Sequence, residues 1–396
     1  MNNGFCTRCG AKLVDNADFC NNCGAQIEHV DGVPRALPTK TDSYPEEISP
    51  AKAAPLPASP SPPKYRPIRQ RPKVIGYAFG IIFLISVPFI VFAILGTINL
   101  SYMGDLTFEV DSFAETNVLL DVDLDVGSLD IIYDPTLTNL IEATLEVWGR
   151  PGADIADAKN FRSYNETGMI RVSFDSGDRS FWYWDKKTFN YNIELLIHPS
   201  ANVNFHVKAG TASITLDTSG EDYLEINGLL FDSGTGSIGL NLAGSLNTTF
   251  QSIYLNTGTG SINANLGKYT YINDTEVKII TGTGTITLTY EDLISNHLLA
   301  FILDTGTGSI YINIIQNLVL PDAHATTISA DTGTGSVSVD IELAAAIGLK
   351  IHAATGTGSK SLFGYDNSDY ESPNYETADN VYNLLLETGT GSITVV

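Results

Sequence analysis

The chain has 396 residues, with 22 Lys+Arg against 45 Asp+Glu and a net charge of −23. Residues 1–100 hold 10 Lys+Arg against 7 Asp+Glu, which leaves 12 against 38, a net of −26, for residues 101–396. So acidic a region repels nucleic acid and is not expected to bind it, and with all four cysteines before residue 24 the remainder has neither disulfides nor thiol nucleophiles.

The N-terminus reads FCTRCGAKL (Phe5–Leu13) and then FCNNCGAQI (Phe19–Ile27), two copies of one C-x2-C-G knuckle. Each knuckle points two sulfurs at one metal, so Cys6, Cys9, Cys20 and Cys23 form a tetrahedral four-thiolate set suited to one structural Zn2+. Gly10 and Gly24 leave the backbone free to tighten behind each pair. With no open ligand position such a site is closed rather than catalytic, and metal binding would supply the folding energy that so short a segment lacks. Two redox C-x2-C pairs, or a rubredoxin-like iron site, are the competing readings. The segment, residues 1–29, resembles the short zinc-ribbon family found at the N-termini of many prokaryotic membrane proteins.

Residues 30–73 are a linker, for SPAKAAPLPASPSPPKYRP cannot build a core and favours extended polyproline segments. Then Val74–Leu100 runs 27 residues without a charge, enough for a helix to span a bilayer core of about 30 Å. Membrane helices tolerate a proline such as Pro88. Lys64, Arg66, Arg69, Arg71 and Lys73 precede the run, and Asp105, Glu109 and Asp111 follow it. The positive-inside rule then puts the N-terminus in the cytoplasm and the C-terminal part outside, as a single-pass signal anchor in the cell membrane.

Beyond the span a TGTGS motif recurs. Its second glycine falls at Gly236, Gly260, Gly284, Gly308, Gly335, Gly358 and Gly391, with a degenerate copy at Ala212, at spacings of 24, 24, 24, 24, 27, 23 and 33. A period of this size means stacked supersecondary units, about one coil per repeat. Apolar residues sit two and four positions before the first threonine (Ile253 and Leu255, Phe301 and Leu303) and five and seven after it (Ile262 and Ala264, Ile310 and Ile312). The Gly358 copy departs, with Lys360 and Leu362 after the motif. Each flank alternates with period two, as a half-buried strand does. The inward parity changes across the motif, however, which no uninterrupted strand can do. TGTGS must therefore absorb one residue of phase as a bulge or corner, and glycine supplies that geometry. The whole of residues 105–396 reads as a mainly β, parallel β-solenoid. LLDVDLDVGSLDII gives an early coil, and RSFWYWDKKTFNYNIELLIHPSANVNFHV reads as a hairpin feeding the first regular one. IELLIHPSANVNFHVKAGTASITL, followed by the repeated TGTGSI units, resembles the DUF4097-type adhesin domain, which implies a β-solenoid exported to the cell surface.

Other chemistries fit poorly. A phosphate loop needs Gly-Lys-Ser/Thr opening a helix, and calcium-binding repeats need an aspartate in every turn. Asp121, Asp123 and Asp125 begin like an EF-hand loop, but Val126 stands where glycine is required, so an exposed strand face is the better reading. The column Thr235, Thr259, Thr283, Thr307, Thr334, Thr357 and Thr390 either displays hydroxyls to ice or glycans or, the commoner use, ties the stack together. Phe181–Trp184 is read first as packing against the early coils and second as a sugar-stacking platform. His198, His206, His297, His324 and His352 are scattered and define no catalytic set, so no enzyme is expected. Asn99, Asn165, Asn247 and Asn273 occupy N-x-S/T sequons. The 33-residue gap before Gly391 is expected to fold over the final coil as a cap.

These features point to a membrane-anchored surface protein for adhesion or envelope structure, with a glycan or surface protein as the solenoid's ligand. A transmembrane sensor whose ribbon binds a cytoplasmic protein is the alternative. A polysaccharide-active enzyme, which would need a carboxylate cluster on one coil face, comes third.

Overall fold

Two alternating apolar flanks joined by TGTGS become two strands meeting at a corner, and this unit repeats through most of the chain. The computed structural model describes residues 100–396 apart from 112–115, 151–152, 167, 177–188, 219–223, 243–248, 274–275 and 297. The zinc ribbon, the linker and the span 74–100, except Leu100, lie outside the described residues. Among the described residues no helix is long and apolar enough to cross a membrane.

The regular coils are solenoid-like and pair in parallel with a register of one repeat. Ile253 lies beside Val277, which lies beside Phe301, and on the second side Ile262 lies beside Ile286, which lies beside Ile310. A short third side, in which Phe250 pairs with Ile272, closes some of the coils. Inward residues from the sides fill the interior, so Val277, Ile279, Ile286 and Leu288 are all fully buried. Each such aliphatic contributes about 2 kcal/mol by leaving water. Tyr290 stacks on Phe301 inside, at 5.5 Å between centroids and 12° between planes.

The N-terminal end departs from a plain solenoid. Its strands are β1 (Ser101–Val110), β2 (Asn117–Tyr133), β3 (Ile141–Gly149), β4 (Arg162–Glu166), β5 (Met169–Asp175), β6 (Phe189–Ile197) and β7 (Asn202–Asp217). β1 pairs antiparallel with β3, β3 antiparallel with β6, and β4 antiparallel with β5. Residues 189–207, the described part of the segment expected to be a hairpin, do not form one. β6 and β7 each pair in parallel with β2 instead, because the turn at His198–Ala201 carries the chain round a coil corner onto the next side. The first half of β2 has β5 on one flank and the second half has β6 there, while β7 runs along the other flank of both. Thus β2 lies inside the sheet, with β5 and then β4 beyond its first half, and β6, β3 and then β1 beyond its second. A 3-10 turn at Ile155–Asp157, capped by Asp154, leads to Phe161, which packs on Phe108 and Phe174 and closes this end of the core.

The C-terminal end does the same in reverse. Strand Asn380–Thr390, which carries the last motif, pairs with His324–Thr334 on one side and Ile347–Thr357 on the other. Its continuation Ile393–Val395 likewise lies between Val337–Leu343 and Lys360–Leu362. The cap therefore does not cover the coil that is last in sequence. The long gap lets the chain cross the Gly358 coil and return beneath it, and Asp369–Glu371 covers that outer coil by pairing antiparallel with Lys350–His352. Tyr375 fixes the crossing, its hydroxyl bonded to Asn383 Oδ1 at 2.7 Å.

A polar network is buried between the last coils. Tyr382 donates to Gln316 Oε1 at 3.1 Å, Gln316 Nε2 donates to the carbonyls of Leu293 and Leu318, and Asn380 bonds Leu320 through both its amide nitrogen and its oxygen. Burial pushes the Tyr382 hydroxyl up to about 12, so it remains a donor. His324, only 8% exposed, meets Thr326 Oγ1 at 3.2 Å. Burial holds its imidazole below the usual histidine value, so the folded chain takes a proton less readily than the unfolded one. Stability should therefore fall as pH drops below about 6.5, by up to about 1.4 kcal/mol per pH unit, and level off below the folded value. Urea unfolding of the natural chain and of His324→Gln between neutral and mildly acid pH checks this. An unchanged slope in the variant would remove His324 as its source.

Candidate functional site: the corner and the two outer faces

At each regular corner the phase change falls between two successive outward residues, the first glycine and the second threonine. Thr257 is fully buried, Gly258 and Thr259 face out, and Ile262 returns inward. The second glycine has φ between 148° and 154° in all seven TGTGS-type copies, a conformation that residues with a Cβ rarely adopt. It also abuts the neighbouring coil: a methyl group at Gly308 would lie 1.7 Å from the carbonyl oxygen of Gly284. The glycines are there because the coils stack backbone on backbone.

The two threonines of the motif have separate roles. The first is buried and donates to the carbonyl of the second glycine in the adjacent coil: Thr257 to Gly236 at 2.9 Å, Thr281 to Gly260 at 2.9 Å, Thr332 to Gly308 at 2.8 Å. Thr388 reaches Gly335 at 2.9 Å and Thr355 reaches Gly391 at 3.3 Å, matching the intercalated order. The second threonine forms the column singled out in the sequence. Thr235, Thr259, Thr283, Thr307, Thr334, Thr390 and Thr357 stand in register and exposed, and make no side-chain hydrogen bond among the described residues. The expectation that this column ties the stack together is corrected; the buried first threonine does so.

The two outer faces differ in charge. On the side before the corner, Asp232, Glu276, Lys278 and Asp304 face out from three of four successive coils, and Asp304, Asp331 and Glu387 follow one another in register. Partial burial, and then the neighbouring Asp331, push the Asp304 carboxyl up. On the side after the corner, the three outward positions nearest it, within 237–241, 261–265, 285–289 and 309–313, carry only Ser, Thr, Asn, Gly and Tyr, while Lys268 and Glu291 pair farther along the same strands at 2.5 Å and Asp217 and Asp340 stand in register beside Asn241 and Asn313. Gly239, Asn263, Thr287 and Tyr311 form one column of this face, and Asn241, Asn265, Thr289 and Asn313 the next. Tyr311 is 48% exposed.

Toward the N-terminal end of that side three carboxylates gather around one hollow. Asp130, Glu146 and Glu194, with Ser128, Thr144 and Asn192, line a hollow of about 330 Å3. This is the kind of cluster the enzyme reading required, but all three carboxylates are solvent-exposed, and Asn192 Nδ2 holds Glu146 Oε2 at 3.3 Å. The Asp121 run is more than an exposed strand face. Asp121 Oδ2 meets Arg171 at 2.5 Å and its Oδ1 meets His206 Nδ1 at 3.0 Å. Partial burial pushes the Asp121 carboxyl up, but Arg171 and His206 together outweigh it and hold the group below the usual carboxylate range. His206 faces out between the buried Phe205 and Val207, as its parity implies. Asn165 is exposed on β4 and Asn273 is exposed with its amide on Gln251, whereas Asn99, Asn247, His297 and Phe181–Trp184 lie outside the described residues.

Cys6, Cys9, Cys20 and Cys23 also lie outside the described residues, and among those described no His/Cys/Asp/Glu group could hold a metal ion. The donor set itself, two C-x2-C pairs with four thiolates, fits a closed zinc site. Residues 5–27 match the family model of a zinc-ribbon domain. No curated protein matches the chain. Among solved structures, the chain is similar to a candidate cell adhesion protein from Clostridium sporogenes at 12% identity and a TM-score of 0.29, covering 74% of this chain and 99% of that one. It is similar to a candidate adhesin from Bacteroides fragilis at 12% identity and a TM-score of 0.28, covering 74% and 97%.

Proposed function

We propose that this chain is a single-pass membrane protein that presents its strand stack outside the cell, for adhesion or envelope structure, and keeps a structural zinc ribbon in the cytoplasm. The observation that carries the reading is the stack's surface. In-register coils repeat one side-chain pattern about every 4.8 Å over a rigid face, which suits multivalent contact with a repetitive surface. The uncharged run 74–100, with its basic residues on the N-terminal flank, supports the topology. In the ribbon, Cys6, Cys9, Cys20 and Cys23 would hold the zinc, which supplies folding energy to a segment too short for a core of its own.

The four cysteines are the chain's only thiols, so a thiol label reports on the N-terminus alone. With a membrane-impermeant maleimide, intact cells should show no labelling, permeabilised cells little, and permeabilised cells treated with a zinc chelator full labelling. Labelling of intact cells would overturn the topology, and labelling indifferent to the chelator would overturn the zinc site. Deleting the chain should also lower attachment of the cells to their surface; unchanged attachment and envelope integrity would overturn the role.

A further inference from the structure

We infer that the end of the stack where β1 begins docks on the lipid bilayer, with the cross-strand pair Tyr102 and Trp148 reaching into the outer headgroup layer. The inference rests on the reading of the chain as a single-pass membrane protein, and it names the surface of the stack that meets the lipid. Its first ground is where the uncharged chain ends. No charge falls between Lys73 and Asp105, and β1 starts at Ser101, directly after the run 74–100. Ser101 is already in register with Gly149, so no free spacer separates the run from the sheet. The 27 residues of the run, as a helix, rise about 40 Å against about 30 Å of hydrocarbon, and the surplus of about 10 Å carries the chain through the outer headgroups. β1 therefore starts at the headgroup surface, within one side chain's reach of it.

The second ground is what stands at that end. Tyr102 and Trp148 are in register on the outward face of β1 and β3, edge to face at 5.6 Å between centroids and 62° between planes. Tyr102 is 52% exposed, and its hydroxyl donates to Asp105 Oδ1 at 2.8 Å, so its polar tip is held farther along β1 while the ring stays open. An apolar ring with its polar tip on the water side is how tyrosine and tryptophan sit at membrane surfaces. Moving away from the run, the next outward residues in register are Asp105 with Glu146, Thr107 with Thr144, and Glu109 with Glu142. Every carboxylate on this face of β1 and β3 thus lies beyond the aromatic pair, where it limits how deep the sheet can sink. Cross-strand pairing alone accounts for the contact between the rings. It does not account for their taking the outward positions nearest the uncharged run.

The test uses the full chain in phosphatidylcholine vesicles, with Trp182→Phe and Trp184→Phe leaving Trp148 as the only tryptophan. Lipids brominated near the headgroup end of the acyl chain should quench most of the Trp148 emission, and lipids brominated at the far end should quench it much less. Tyr102→Ser should remove most of that quenching, and Tyr102→Phe, which keeps the ring, should retain it. Tyr164→Ala, at an exposed tyrosine on β4 on the other side of the coil, should leave it unchanged. Unaltered hydrogen exchange of the β3 amides in Tyr102→Ser would show that the sheet is intact and the loss belongs to docking. Absence of quenching in the chain with Tyr102 in place, or quenching undiminished by Tyr102→Ser, would overturn the inference. Washing the vesicles at alkaline pH separates the two readings. If the chain stays with the lipid while Trp148 is unquenched, the span survives and only the docking is lost; if the wash releases the chain, both fall.

Discussion

Gly308→Ala is expected to destabilise the stack by roughly 4 kcal/mol, the sum of a backbone conformation that a Cβ residue rarely adopts and of overpacking against the next coil. At this residue φ is 148° and an added methyl would lie 1.7 Å from Gly284 O, which is backbone and cannot rotate away. Two other glycines grade the effect. At Gly306 the methyl would meet Gly282 O at 2.8 Å with no unusual φ, so Gly306→Ala should cost about 1–2 kcal/mol, within the range of a strained contact. At Gly239 it would rest 3.5 Å from Thr215 Cγ2, an ordinary contact, and Gly239→Ala should be neutral or stabilise by about 0.4–1 kcal/mol through the unfolded chain. Because a stack of repeats can open one coil at a time, hydrogen exchange at the strands on either side of each substitution is the informative readout, with urea midpoints beside it. If Gly308→Ala behaves like Gly239→Ala, the close approach of coil to coil does not explain the motif.

The same packing explains what could be read before the structure was known. The 24-residue period, the two alternating flanks and the change of parity across TGTGS all reappear as register, strands and corner, because each follows from side chains that must point inward at every turn. The division of labour between the two threonines was also present in the pattern. The first threonine has the same parity as Leu255 and Ile253, and so is the inward one, while the second follows the phase change.

What could not be read is which coil lies beside which. TGTGS copies are interchangeable as neighbours, since each offers the same glycine carbonyl to the same threonine hydroxyl, so the motif fixes the manner of stacking and leaves its order open. The order depends on particular residues between the motifs. Tyr382 reaches Gln316, 66 positions earlier, and Asn380 reaches Leu320, and neither partner lies at a repeat spacing. At the other end the HPSA turn, which resembles the link of a hairpin, is a coil corner because the apolar faces of both β6 and β7 are needed by β2. Long-range pairing overrides local turn chemistry there.

Removing residues 380–396 should consequently do more than shorten the stack by its last coil. In the natural chain those residues are paired on both sides, with ten register positions to His324–Thr334 and ten to Ile347–Thr357. Without them two strand rows face an empty slot one coil wide, Gln316 loses the Tyr382 hydroxyl, and the Leu349 and Thr326 side chains lose the ring in register between them. Exposed parallel edges and an opened core favour unfolding of everything beyond the slot. The expected result is that backbone amides of 347–357 exchange as in an unfolded chain and those of 324–334 lose much of their protection, while 253–291 keeps its own. A stack in plain sequence order would behave otherwise, since 347–357 would rest directly on 324–334 and stay protected. Protection of 347–357 in the truncated chain would thus mean that the Gly358 coil can close onto the Gly335 coil, and that the intercalated strand is an addition to a stack already complete without it. Loss of that protection would make the end of the chain the clasp of the C-terminal coils. It would also give a physical reason for the long polar excursion before Gly391: the strand that must be held on both sides has to arrive after the coil that lies outside it.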